Sequence, residues 1–343
     1  MLKKYRLILT YIFAHFAVDF ACAFLLFRLL YDDPQWYLCL LIYNFCAFAM
    51  QMPIGLLADK WNRNAVCAAI GCGLIAFSFG FSYIPVLTVI IAGIGNSLFH
   101  VGGGIDVLNV SSKNPTLLGI FVSPGALGIF LGTILGKQGD FSVPVVVAVM
   151  VIVAAAILIA CYADSYSFRS NNDPVSFPVK TSYSILIAIC CLVAVVCLRS
   201  YIGMILNFPW KGIKGLSYVL ILAVVLGKVS GGFLAARLGA KRASILSLGL
   251  TSVLFLFSNI PFIGIASVFF FNMSMPITLW AIANILHGSK GFAFGLLTFG
   301  LFIGFVPVYL GYTALFTTVT GFAISAVISL ILLLIGIRKA VPR

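Results

Sequence analysis

The chain has 343 residues, of which 62% are hydrophobic and only 8% are charged, and its net charge is +13 at pH 7. A soluble domain carries about 25% charged residues, so this composition excludes a water-soluble globular protein and predicts a chain surrounded by lipid. The basic residues stand in short gaps between apolar runs, which favours a topological role for them over nucleic-acid binding.

Twelve apolar segments are long enough to cross a bilayer, which takes about 20 residues. The first reaches about residue 31, too long for the core of a signal peptide. The longest polar gap, 163–181, predicts a cytoplasmic linker between two six-helix bundles, 1–162 and 182–343. The predicted spans are 7–31, 35–57, 65–83, 85–109, 116–136, 142–162, 182–206, 215–236, 242–259, 261–286, 291–311 and 313–337.

The charge distribution predicts the orientation of these spans. With the N-terminus inside, fifteen of the 21 Lys and Arg residues fall in cytoplasmic segments and three in outside loops. This bias predicts an even number of spans with both termini in the cytoplasm. An offset of 176 or 177 residues also indicates a parallel internal repeat, whose interface usually holds the substrate site. The landmarks that share it are Gly55 with Gly232, Pro85 with Pro261, Asn96 with Asn272, and Lys113 with Lys290.

Two related motifs follow the second and the eighth spans. The first reads Gly55-Leu-Leu-Ala-Asp59-Lys60-Trp-Asn-Arg63, and the second reads Gly232-Phe-Leu-Ala-Ala-Arg237-Leu-Gly239. The pair resembles the loop motifs of the major facilitator superfamily of membrane transporters. The resemblance implies an all-α membrane fold of twelve transmembrane helices, arranged as two six-helix bundles related by a pseudo-two-fold axis.

The resemblance also implies a conformational latch made by these motifs. In that superfamily the acid of the first motif faces the N-terminus of the eleventh span, which here begins near Lys290. The partial positive charge of a helix N-terminus favours such an anion. The second copy has Ala236 where the first has Asp59, so we expect the two latches to be unequal.

Shorter motifs resemble the fosmidomycin-resistance branch of that superfamily. They are His15-Phe16-x-x-Asp19, Leu98-Phe99-His100, the glycines 125, 128 and 132, and Arg199. Members of that branch are proton-driven drug exporters, which implies antiport and efflux. The chain departs from the branch at Val101, where a proline is common, and this departure leaves the substrate open.

Ionisable side chains inside spans are functional candidates, because they are costly in a bilayer. His15 and Asp19 share one helix face and are predicted to couple transport to protons, or else to fix the first span structurally. Arg199 and Lys228 would suit an anionic substrate, or would pair with Asp19 or Asp106. Asp106 is also predicted to bind substrate, or else to pair with a cation in a loop. The other predicted substrate-binding residues are His100, Asn96, Asn44, Gln51 and Asn272.

These observations predict a secondary transporter rather than an enzyme, because no arrangement of a nucleophile with a base is evident. We expect a monomer in the cytoplasmic (cell inner) membrane that moves a small organic anion or amphiphilic drug-like solute. We expect it to use a proton gradient and to bind neither a cofactor, nor a structural metal, nor nucleic acid. The alternatives are an uptake permease or uniporter for a small anionic metabolite, a soft-metal carrier using the nine cysteines, and a membrane receptor or membrane enzyme.

Overall fold

The computed structural model describes residues 3–163, 183–213 and 215–340, and it is built from helices. Apart from residue 163, the predicted linker 163–181 lies outside the described residues. A helix satisfies its own backbone hydrogen bonds, as a segment in lipid must. The first six spans are Lys3–Leu25 with Leu26–Leu30, Trp36–Asn44 with Phe45–Ala49 and Gln51–Trp61, Asn64–Ser78, Pro85–Ser111, Thr116–Val122 with Pro124–Gln138, and Val143–Ala163.

Six further spans follow in the described part of the second half. They are Tyr183–Ile205, Leu216–Leu238, Ala240–Leu256, Pro261–Asn272 with Ser274–Ile285, Lys290–Tyr309, and Val319–Ala340. Eleven of the twelve are apolar and at least 18 residues long. The ninth, Ala240–Leu256, has 17 residues, at the short end of the range of about 17–25 for a span. The prediction of an all-α, twelve-helix, multi-pass membrane protein is confirmed.

The second and fifth spans are among those whose regular α-helix is interrupted. In the second span, Phe45–Ala49 forms a π-helical turn, which frees backbone carbonyls from their usual partners. Ser97 Oγ donates to the carbonyl of Cys46, and Gln51 Nε2 donates to that of Ala47, both at 2.5 Å. The fifth span breaks at Ser123, immediately before a helix that begins with proline.

The helices that carry the two motifs are longer than predicted. The second span continues to Trp61 and the eighth to Leu238, so Asp59 and Arg237 lie on helices and not in loops. Helix-compatible residues in both motifs account for the difference, since polar residues at a span end do not stop a helix. Asn62 ends the second span with φ 57°, in the left-handed region that Asn tolerates.

The described residues form two compact units, whose boundaries differ from the predicted halves at two places. The first unit combines the residues up to Asn109 with the second part of the fifth span, the sixth span and Gly288–Phe299. The second unit combines Val110–Ser123 with the seventh to tenth spans and the described residues from Gly300 onward. The fifth and eleventh spans are thus each divided between units. The division at residues 162 and 182 stays a prediction.

Candidate functional site

A buried cluster of three titratable side chains lies within the first unit. His15 and Asp19 project from one face of the first span, and His100 projects from the fourth. His15 Nε2 lies 3.0 Å from His100 Nε2 and 3.3 Å from Asp19 Oδ2. His100 Nε2 lies 3.6 Å from Asp19 Oδ1. The structure therefore joins two sequence motifs that are more than 80 residues apart, and we call the three residues the His–Asp cluster.

The hydrogen bonds of the His–Asp cluster define where its protons lie. His100 Nδ1 is 2.9 Å from the backbone oxygen of Asn96, which can only accept, so Nδ1 carries a proton. In the neutral ring Nε2 is then an acceptor, and it faces His15 Nε2 and an oxygen of Asp19. His15 Nε2 can donate to His100 Nε2 at 3.0 Å when the neutral His15 ring carries its proton on Nε2. One additional proton on His100 Nε2 would be shared with Asp19.

Asn96 completes this cluster from the fourth span. Its side chain is only 2% exposed, and its Nδ2 lies 3.3 Å from Asp19 Oδ1 and 3.7 Å from Cys22 Sγ. Its Oδ1 is buried and has no hydrogen-bond partner among the described residues. A buried polar atom without a partner is costly, and such atoms are concentrated at functional sites.

The glycines of the fifth span bring that helix against the cluster. A Cβ at Gly125 would meet Asp19 Oδ2 and His15 Nε2, and it would lie 2.8 Å from His15 Cδ2. At Gly128 a Cβ would lie 3.0 Å from the backbone nitrogen of Phe20, and at Gly132 it would lie 3.1 Å from Ala23 Cβ. These glycines therefore serve close helix packing, which shields one side of the cluster.

The His–Asp cluster also has donor types that a metal ion could use. One nitrogen from each histidine and one carboxylate oxygen lie within 4.8 Å of one another, and imidazole with carboxylate is a usual ligand set for first-row transition metals. The nine cysteines are all free thiols, and no described cysteine belongs to such a group. The described residues thus offer the His–Asp cluster as a group with metal-binding donors, and the soft-metal carrier that uses the cysteines stays a prediction.

Asp106 lies in the same unit but has different partners. Its side chain is 1% exposed, Tyr11 Oη donates to Oδ2 at 2.8 Å, and Asn64 Nδ2 donates to Oδ1 at 2.7 Å. The sequence alternative that a loop cation pairs with Asp106 is therefore wrong, because both donors are neutral residues of the first and third spans. Full burial also keeps Asp106 away from any substrate in this state.

The first motif makes the contact that the resemblance implies, within the first unit. Asp59 Oδ1 and Oδ2 accept from the backbone amides of Gly291 (2.8 Å) and Phe292 (2.9 Å), at the N-terminus of the eleventh span. Gly55 permits this approach, because a Cβ there would lie 3.0 Å from the nitrogen of Phe292. Lys60 and Arg63, the other predicted latch residues of this motif, lie exposed beside the contact.

The second motif packs differently, within the second unit. A Cβ at Gly232 would lie 2.7 Å from the backbone oxygen of Pro115 and 3.1 Å from Cα of Gly119, so the eighth span packs closely on Thr116–Val122. Gly239 ends the eighth span with φ 81°, and Arg237 is exposed in its last turn. No acid is available for an amide contact, because Ala236 stands there.

The predicted cations of the second half lie on the seventh and eighth spans. Arg199 is half-buried, yet its Nη1 is inaccessible to solvent and has no hydrogen-bond partner among the described residues. Lys228 is also half-buried. The hydrogen bonds that Asp19 and Asp106 make come from residues of their own unit.

The three remaining predicted amides bind their own helices. Asn44 Nδ2 donates to the oxygen of Leu40, and Asn272 Nδ2 to that of Val268, each at 2.8 Å. Gln51 is fully buried, its Nε2 donates to the backbone oxygen of Ala47, and its Oε1 has no hydrogen-bond partner within the part of the chain that the structure describes. The side-chain nitrogen of each amide therefore bonds its own span and not a residue of the His–Asp cluster.

Tyr11 and Asn64 are not among the site residues predicted from the sequence. Tyr11 stands four residues before His15, as Asp19 stands four after it, so a polar stripe at helical spacing could have revealed it. Asn64 gave no such signal, because it follows a helix end, where Asn is common.

Comparison with known proteins identifies the fold. No family model and no curated protein sequence matches the chain. Among solved structures, the fucose:proton symporter of E. coli is similar, with a TM-score of 0.68, 15% identity and coverage of 98% of both chains. A second structure of that transporter, described as a major facilitator superfamily member in the outward conformation, gives a TM-score of 0.66 at 15% identity, covering 97% of this chain and 100% of its own.

A bacterial homologue of the iron transporter ferroportin, in an outward-facing state with soaked iron, is also similar. It gives a TM-score of 0.60 at 15% identity, with 98% of both chains covered. At this identity the comparisons show the fold alone: the chain has the fold of major facilitator superfamily transporters. The proteins that share it here are described as transporters and not as enzymes.

Proposed function

We propose that the protein is a proton-coupled secondary active transporter of the major facilitator superfamily that exports a small organic anion or amphiphilic drug-like solute. The observation that carries this proposal is the buried His–Asp cluster, which gathers three proton-binding groups between two membrane-spanning helices of a transporter fold. Buried ionisable groups in spans mark ion pathways by default, because a bilayer makes them costly.

The His–Asp cluster holds the coupling proton. His100 Nε2 takes a proton from water and shares it with Asp19, which converts a buried anion beside neutral rings into a neutral pair. Losing the proton restores the anion. In a rocker-switch cycle the cluster is open to one side of the membrane at a time, so proton uptake on one side and release on the other drives the solute in the opposite direction.

Arg199 and Lys228 bind the negative charge of the solute. The buried Nη1 of Arg199 has no partner among the described residues, and a guanidinium binds a carboxylate or phosphonate through paired hydrogen bonds. A carboxylate or phosphonate oxygen of the solute would give Nη1 a hydrogen-bond partner and would remove the free-energy cost of burying it without one. The resemblance to the fosmidomycin-resistance branch favours export and antiport over uptake.

Proton movement in proteoliposomes tests this function. The purified chain would be reconstituted with a pH-sensitive dye inside, and a panel of small carboxylates and phosphonates, including fosmidomycin, would be added outside. We expect at least one anion to drive proton flux, and we expect Asp19→Asn to abolish that flux. Asp32→Asn, which removes an exposed loop acid, is the matched control. Full gradient-driven flux in Asp19→Asn would refute proton coupling through this site.

The direction of anion flux relative to proton flux distinguishes export from the alternative of an uptake permease or uniporter for a small anionic metabolite. The same vesicles would be preloaded with the active anion under an outward or inward pH gradient. An antiporter moves the anion against the direction of proton flow, and a symporter moves it in the same direction. In a uniporter the anion flux does not depend on the pH gradient. The fucose:proton symporter with the same fold makes fucose a useful second probe.

A second candidate function is transport of a divalent metal. It is favoured by the three donor atoms of the His–Asp cluster within 4.8 Å and by the soaked iron of the ferroportin homologue. Fe²⁺, Co²⁺ or Zn²⁺ would then raise the melting temperature of the purified protein by mass action, and His100→Ala would remove the shift. A melting temperature that none of these metals changes would exclude this candidate.

We also propose that the protein is a monomer in the cytoplasmic membrane with both termini in the cytoplasm. The distribution of Lys and Arg supports this orientation. A reporter protein that is active only in the cytoplasm would test this orientation when it is fused to either terminus. Both fusions should be active.

A further inference from the structure

A second buried carboxyl group lies in the first unit outside the His–Asp cluster. Asp106 accepts one hydrogen bond from Tyr11 Oη and one from Asn64 Nδ2. Tyr11 is fully buried, Asn64 is 5% exposed, and Asp106 is 1% exposed. Both donors are neutral, so an ionised Asp106 is buried with no cation among its hydrogen-bonding partners to balance its charge.

The two hydrogen bonds of Asp106 differ in what they allow. The Asn64 amide nitrogen can only donate, so Asp106 Oδ1 remains an acceptor in either charge state. The Tyr11 hydroxyl can donate or accept. When Oδ2 is ionised, Tyr11 donates to it; when Oδ2 carries a proton, it donates to Tyr11. The 2.8 Å contact can therefore reverse its direction, and Asp106 can gain a proton without losing a hydrogen bond.

Close helix packing holds this arrangement in place. A Cβ at Gly102 would lie 2.7 Å from the backbone nitrogen of Ala68, so this glycine lets the third span approach and brings Asn64 to Asp106. Asp106 is six residues beyond His100 on the fourth span, a rise of about 9 Å. Asp106 and the His–Asp cluster, which contains Asp19, are therefore separate sites along the first and fourth spans.

Among the described residues, few titratable groups interact with Asp106 or with Tyr11. Tyr11 contributes from the first span, Cys67 interacts electrostatically from the third, and Cys161 interacts with Tyr11 from the sixth. On the eleventh span, whose Phe294 lies against Gly104, the charged residue is Lys290, and its Nζ donates to Asn109 Oδ1 at 2.8 Å. The proton equilibrium of Asp106 is thus governed mainly by burial and by its hydrogen bonds to Asn64 and Tyr11.

We propose that Asp106 is a second proton-binding site, with Tyr11 as its reversible hydrogen-bonding partner. A proton from water binds Oδ2, the charge changes from −1 to zero, and the proton returns to water when the site is next hydrated. Its part in transport rests on the proposed function, whereas proton binding itself does not. A purely structural Asp106, which only links three spans, would keep one charge state throughout.

Infrared pH-difference spectroscopy of the purified full-length protein tests the proposal without a solute. The chain has eight Asp and no Glu, so the C=O stretching bands of protonated side-chain carboxyls are few and assignable by substitution. Asp106→Asn mimics the neutral form at equal size. We expect it to remove one titrating band, Asp19→Asn to remove a different one, and Asp32→Asn to change neither.

Tyr11→Phe provides a test that leaves the carboxyl in place. It removes the reversible hydrogen bond, so the band assigned to Asp106 should move to higher frequency and titrate at a different pH. A spectrum in which Asp106→Asn equals the wild type at every pH, or in which the Asp106 band does not change with pH, overturns the proposal. Coupled flux retained in Asp19→Asn would contradict the proposed function alone and would leave the assignment of Asp106 intact.

Discussion

The glycine at position 125 offers a sharp test of how the His–Asp cluster is shielded. In Gly125→Ala the new methyl group would meet Asp19 Oδ2 and His15 Nε2 and would lie 2.8 Å from His15 Cδ2. Carbon atoms in contact lie about 3.5–4.0 Å apart, so the helix or the side chains must move by about 0.7–1.2 Å. Overpacking of this kind costs about 1–3 kcal/mol.

Such a movement is large on the scale of the cluster. His15 Nε2 lies 3.0 Å from His100 Nε2 and 3.3 Å from Asp19 Oδ2, and a displacement of about 1 Å would break one of these contacts. We therefore expect Gly125→Ala to lower proton-coupled flux in proteoliposomes by at least about tenfold, since misplacement of about 1 Å can cost 10²-fold in an active site. The melting temperature should also fall.

Gly73→Ala is the matched control. It makes the same substitution in a membrane-spanning helix, but nothing lies within 4 Å of a Cβ at that position. Melting temperature and flux should stay at wild-type values or improve slightly, because Ala favours helices more than Gly does. If Gly125→Ala left both the melting temperature and the flux unchanged, as is expected for Gly73→Ala, then the close packing of the fifth span on the cluster would not be needed for transport.

Three further substitutions test the rest of the structure. Asp59→Asn removes one of the two acceptor oxygens, and the negative charge, that bind the amides of Gly291 and Phe292. Losing about 1.5–3 kcal/mol of hydrogen-bond energy should raise hydrogen–deuterium exchange of these amides roughly 10- to 150-fold. Unchanged exchange would contradict the contact. Arg199→Gln should weaken binding of an active anion by about tenfold or more in calorimetry, with Arg199→Lys intermediate, and equal affinity in all three proteins would exclude the predicted role. Gly232→Ala should lower the melting temperature, because its methyl group would lie 2.7 Å from the oxygen of Pro115.

The candidate site was only partly predictable from the sequence. His15, Asp19 and His100 could be selected because charged and imidazole side chains are rare within apolar segments. Their meeting in one cluster could not be derived, since it depends on how the first and fourth spans are rotated about their axes. The same limit applies to Asp106, where sequence spacing left a loop cation open and the structure places Tyr11 and Asn64.

The sequence by itself determined the number of membrane spans, their approximate ends and the all-α fold. These depend on local properties, because the bilayer responds to the hydrophobicity of each segment of about 20 residues. The tertiary structure alone decided which polar side chains share hydrogen bonds, that the glycines of the fifth span pack on the first span, and that the fifth and eleventh spans are each divided between units. These depend on contacts between residues far apart in the chain, which neither composition nor periodicity records.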